Sequence, residues 1–125
     1  MRQITDRFLA AVKLCVGAES VKKRLAQAWL TELDGIGISE LPEQLRPEFR
    51  RLRQSMNTAD PLPHESAATA SIRKMSARQA NRETLRILRL SHELIRINLQ
   101  AESAIRNNTG DEVYLQKPLA GERLN

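Results

Sequence analysis

Cysteine is nearly missing from this chain of 125 residues. Cys15 stands alone, which excludes a disulfide framework within the chain and fits a reducing, cytoplasmic setting. Aromatic side chains are almost as scarce, at 3%: Phe8, Trp29, Phe49 and Tyr114. A core must therefore be filled by Leu, Ile, Val and Ala, the composition of helical bundles. Long apolar runs are missing too. None approaches the roughly 18 residues that a membrane-spanning helix requires, so no membrane partner is expected. The most apolar stretch, Phe8 to Ala18, is interrupted by Lys13 and preceded by Asp6, and it reads as a helix of the mature protein and not as a secretion signal.

What is present is charge and helical period. Charged residues make up 28% and the net charge is +5. The excess is uneven: +3 over residues 1–33, −1 over 34–60, +4 over 61–106 and −1 over 107–125. A basic surface concentrates anionic partners, whether acidic proteins or nucleic acids. At this length the chain holds one domain with one core.

Apolar residues recur at helical spacing. Phe8, Val12 and Cys15 define a first helix over about Ile4–Val16, with Leu9 and Val16 beside them. Val21, Leu25, Ala28, Trp29 and Leu33 define a second, over about Glu19–Leu33. The two stripes are out of phase, and Gly17 sits at the change, where it can end the first helix in a left-handed conformation. Asp34-Gly35-Ile36-Gly37 stops the pattern. Leu41, Leu45, Phe49, Leu52 and Met56 then form a narrow stripe. Pro47 falls inside it, which predicts a turn at 42–45 and a helix from near Pro47 to near Asn57. Thr58 to Ser71 reads as a connector, held extended by Pro61 and Pro63. Ser76 and Gln79 have capping-box spacing and open the longest helix, about Ala77–Arg106. Its broad apolar face is predicted to include Ala80, Thr84, Ile87, Leu88, Ser91, Leu94, Ile95, Asn98 and Leu99, widened by Leu85, Leu90 and Ile97.

The fold class predicted is all-α: a small single-domain bundle of about four main helices over 1–106, with the long helix as its spine. A flexible or partner-ordered C-terminal tail is expected over 107–125, which has no clear period and contains Gly110, Pro118 and Gly121.

The residues that carry chemistry elsewhere lack the right company here. His64 and His92 are the only histidines and stand apart, with no ligand set around them, so no metal is expected. Cys15 shares a face with Phe8 and Val12, the setting of a buried, inert thiol. No glycine-rich phosphate loop occurs. Asp34, Glu40, Glu43 and Glu48 flank a loop and a helix face and read as solvated charge. No catalytic residue, no cofactor and no enzymatic activity are predicted. Arginines remain: Arg78, Arg82, Arg86, Arg89 and Arg96 form a ridge along the long helix, and Arg50, Arg51 and Arg53 a cluster on the third. Guanidinium forks suit carboxylates and phosphates alike. These eight arginines are the candidate partner-binding residues. The leading expectation is a non-catalytic interaction module, an adaptor, regulator or inhibitor, docking on a larger protein or on a second copy. The alternative is a basic nucleic-acid-binding accessory protein that uses the ridge, although no base-stacking aromatics interleave the arginines.

Overall fold

The computed structural model describes the backbone of residues 2–116 and the side chains of 3–106. Those residues are helical or irregular, with no strand, as the composition and period imply. Helices α1 (Arg2–Leu14), α2 (Val21–Ala28), α3 (Arg46–Ser55), α4 (Ala67–Lys74) and α5 (Ala77–Gln116) carry the fold. Met1–Leu94 is one compact unit and Ile95–Asn125 a second. In the second, Leu99 and Ile105 expose most of their surface.

The first unit is organised around its few aromatic rings. Phe8 of α1 meets Phe49 of α3 edge-on, with ring centroids 6.0 Å apart, and Trp29 lies 5.9 Å from Phe49. All three rings are fully buried. Edge-to-face and tilted pairs at this distance suit the ring quadrupoles. Leu25, Leu33, Ile36, Leu41, Leu52, Ile87, Leu90 and Leu94 complete the core.

Local chemistry sets the helix boundaries. Ser20 caps α2, its hydroxyl accepting the Lys23 N–H. Between α1 and α2, Gly17 takes a φ of 139°, as its place at the phase change suggested. Pro47 falls in the first turn of α3, where its missing N–H costs nothing, and a short 3₁₀ turn at Glu43–Leu45 leads into that helix. Ser76 caps α5 by accepting the Gln79 N–H at 3.0 Å.

Three expectations need correction. The second helix does not run uniformly to Leu33: α2 ends at Ala28, and Trp29–Leu33 forms a π-helical turn in which the Asp34 N–H reaches five residues back to the Trp29 carbonyl, at 2.8 Å. The connector over 58–71 is not wholly extended, because α4 begins at Ala67. Ser66 caps it, accepting the Thr69 N–H at 3.0 Å, and Ala68, Ser71, Ile72 and Met75 bury a face at helical spacing. The buried Ser71 hydroxyl donates to the Ala67 carbonyl and accepts from the N–H groups of Thr58 and Ala59, which ties the connector to α4. Finally, α5 continues past Arg106 to Gln116. The expected tail beyond that point lies outside the described residues.

Before α4 the chain makes a tight turn. The Glu65 N–H returns to the Leu62 carbonyl, and His64 sits at φ 69° in the position where such turns favour glycine. Glu65 fastens the turn, accepting the Leu62 N–H and a two-pronged contact from Arg73. The Arg73 hydrogen bond, followed by that of Leu62, holds the Glu65 carboxyl below its ordinary value of 4.5.

Two stability predictions follow from these turns. A Cβ at Gly17 meets nothing within 4 Å, so Gly17→Ala should cost only its backbone strain, about 1–3 kcal/mol in denaturant unfolding; an unchanged midpoint would show that the turn relaxes. Because the folded pKa of Glu65 is depressed, its contribution is present above the unfolded value and disappears as pH falls through the folded one. Glu65→Gln should therefore lower thermal stability at neutral pH and match the parent in acid. An equal deficit at both pH values would remove the ion pair as its cause.

Candidate functional site

Helix α5 has two contrasting sides within the first unit. Ala80, Thr84, Ile87, Ser91 and Leu94 are buried at alternating spacings of four and three, and Glu83 and Leu90 are buried beside them. The Thr84 hydroxyl returns to the Ala80 carbonyl at 2.9 Å and so needs no outside partner. Away from this row lie Arg78, Arg82, Leu85, Leu88, Arg89 and His92.

The ion pairs along α5 determine which of these side chains are available. Glu83, almost fully buried, accepts the Ser55 hydroxyl at 3.1 Å and the Arg86 Nε at 3.0 Å. Arg86 also lies 3.9 Å from Glu48 of α3. Arg89 grips the same Glu48 oxygen with its Nη2 at 2.7 Å and its Nε at 3.2 Å. Glu83, Arg86, Glu48 and Arg89 thus form an alternating chain of charge that joins α5 to α3. It also fixes which way α5 faces about its own axis.

The eight candidate arginines consequently have different roles. Arg86, with a side chain only 16% exposed, is part of the α3–α5 joint. Arg53 lies 5.2 Å from the ring centroids of both Trp29 and Phe49, and donates to the carbonyls of Asp34 and Ile36. Arg50, Arg51, Arg78 and Arg82 are exposed and make no ion pair or hydrogen bond among the described residues. Arg89 borders the outer face while holding Glu48. Arg96 is exposed and belongs to the second unit.

Within the first unit, Leu85 and Leu88 are the residues of α5 that the sequence pattern misassigned, as it did Leu99 in the second. Expected in the buried face, they are instead 47% and 37% exposed. With Glu48, Arg89, His92 and Glu93 they line a depression of about 450 Å³. Phase within α5 does not separate them. Both fall outside the 80-84-87-91-94 row, but so do the buried Glu83 and Leu90. A smaller cleft, of about 230 Å³, opens beside Trp29 and Arg53. Its polar groups already serve the fold: Asp34 pairs with Arg53 at 3.7 Å, and the Ser66 hydroxyl bonds to Thr69.

The titratable groups with displaced pKa values lie elsewhere. Burial pushes the Cys15 thiol up, against the pull of Arg24, and a thiol kept protonated is a poor nucleophile. Glu65 and Arg73 shift because they bond to each other. No helix among the described residues is long and apolar enough to cross a membrane.

Removing Glu83 should expose how much the joint depends on it. Glu83→Ala leaves the mostly covered Arg86 guanidinium without its nearest carboxylate, and should cost about 3 kcal/mol in urea unfolding. Glu83→Ala combined with Arg86→Met should recover most of that loss. Additive losses in the double variant would dissociate the two residues.

Comparison with protein-family models, with curated proteins and with solved structures finds no match for this chain.

Proposed function

We propose that the chain is a non-catalytic interaction module, a small adaptor, regulator or inhibitor, and that it docks on another protein through the outer side of α5. One observation carries this reading: Leu85 and Leu88 lie open in a depression while the opposite side of the same helix is already packed. Full burial of a leucine is worth about 1.5–3 kcal/mol, so a partner that covers both residues gains a substantial part of that. An apolar centre bordered by Arg82, Arg89 and Glu93 has the anatomy of a docking patch, with a dry middle and a polar rim.

The non-catalytic part of the proposal draws on the titratable groups. Cys15, Glu65 and Arg73 owe their shifts to burial or to a single ion pair, and none lines the depression. Active sites concentrate such shifts around one cavity.

The alternative, a nucleic-acid-binding accessory protein using the arginine ridge, draws on Arg78 and Arg82, which keep their charge open to solvent. It loses weight because Arg86 and Arg89 are neutralised by Glu83 and Glu48. Half-exposed leucines also have no counterpart in a phosphate backbone.

Leu85→Lys with Leu88→Lys tests the reading. Both positions are partly solvated, so the variant should keep the parent's circular dichroism and nearly its melting temperature. Tagged parent protein should retain a host protein through nuclease treatment, and the variant should lose it. Retention that nuclease abolishes and the leucines do not affect would replace this reading with nucleic-acid binding.

A further inference from the structure

Resting on the docking role proposed for α5, we infer that its partner element is an acidic amphipathic helix. The shape of the face leads there first. Leu85, Leu88 and His92 follow one another at spacings of three and four, a row about 10 Å long at about 1.5 Å rise per residue. A second helix matches such a row with its own side chains at the same spacings, ridge into groove. No strand edge exists among the described residues to receive an extended peptide.

Charge then selects the kind of helix. Around the row, Glu48 is held by Arg89 and Glu83 by Arg86, so those four charges cancel in pairs. Arg78 and Arg82 stand one turn apart, leading up to Leu85 on the same side of α5, with no partner among the described residues. The N-terminal end of the row therefore carries uncompensated positive charge, and its other end, at Glu48 and Glu93, does not. A helix that sets apolar residues on Leu85 and Leu88 and carboxylates on Arg78 and Arg82 satisfies both features. Guanidinium forks take carboxylates in the two-pronged geometry that Arg73 already uses on Glu65. A second copy of this chain fits less well: packed in parallel through the same leucines it sets one arginine row beside the other, and packed antiparallel it brings Arg82 opposite Ser91, with Glu93, already engaged, as the only carboxylate on the facing stretch 91–95.

A display selection on the intact chain tests this. The probe is a library of 18-residue amphipathic helices with leucine fixed at positions i, i+3 and i+7, and with flanking positions randomised among Glu, Lys and Ser. Selected sequences should be rich in Glu on one flank. A synthetic peptide of the selected sequence should bind the Arg78→Glu, Arg82→Glu chain about tenfold more weakly, the effect expected of two exposed ion pairs, and should lose binding to Leu85→Lys, Leu88→Lys. Binders that need the leucines but show no preference for Glu would overturn the acidic partner and leave the docking role standing. Binders indifferent to the leucines, or a selection that yields none, would overturn both. A dimer in light scattering that Leu88→Lys dissociates would assign the face to a second copy and overturn the acidic helix.

Discussion

Every helix that stops leaves backbone carbonyls without partners, and a chain that stops as often as this one must satisfy many of them. Basic side chains meet that demand. Arg7 donates to the Glu32 carbonyl at the end of the π-helical turn, Arg24 to those of Gly17 and Glu19, and Arg46 to those of Ser39 and Leu41. Arg53 donates to the carbonyls of Asp34 and Ile36, and Lys22 to that of Arg73 at the end of α4. The irregular stretch between the π-helical turn and α3 is consequently held by guanidinium groups where a sheet or a longer helix would use its own amides. Hydrogen bonds to charged donors contribute more than neutral ones, about 1.5–3 kcal/mol each when sheltered.

This arrangement changes the meaning of the net positive charge. Arg7, Lys22 and Arg24 account for much of the basic excess of the N-terminal third, and all three serve the fold. Arg53, and Arg86 through Glu83 and Glu48, do the same further along. A pI near 10 therefore arises in large part from arginines that act as internal fasteners. The charge left for a partner is confined to a few places, Arg78 and Arg82 among them.

Much of the first unit could be read in the sequence because its signals were strong and local. Gly17 at a phase change, Pro47 in the opening turn of α3 and Ser76 facing Gln79 each have one economical structural meaning. Helix α4 escaped because Ala68 and Ser71 bury small side chains that look like loop residues, although Ala68, Ser71, Ile72 and Met75 keep helical spacing. The π-helical turn left no trace, since one extra residue within a turn shifts phase no more than a helix end does. At the candidate site, composition identified the arginines but not their roles. Whether an arginine is open or engaged depends on carboxylates distant in sequence, and Glu48 lies 41 residues from Arg89. The exposure of Leu85 and Leu88 was hidden for the same reason: the rotation of α5 is set by Glu48 and Ser55 on α3, which no periodicity within α5 contains.

The placement of Trp29 has a practical side. It is the only tryptophan in the chain, it lies where α1, the π-helical turn and α3 meet, and a guanidinium rests over its ring. An indole so placed is a built-in optical reporter of that one corner. Its emission maximum follows the entry of water between Arg53 and the ring, whereas circular dichroism sums over every helix. Fluorescence and circular dichroism therefore watch different parts of this molecule, and a lag between them during unfolding would separate the aromatic corner from the long helix without a label.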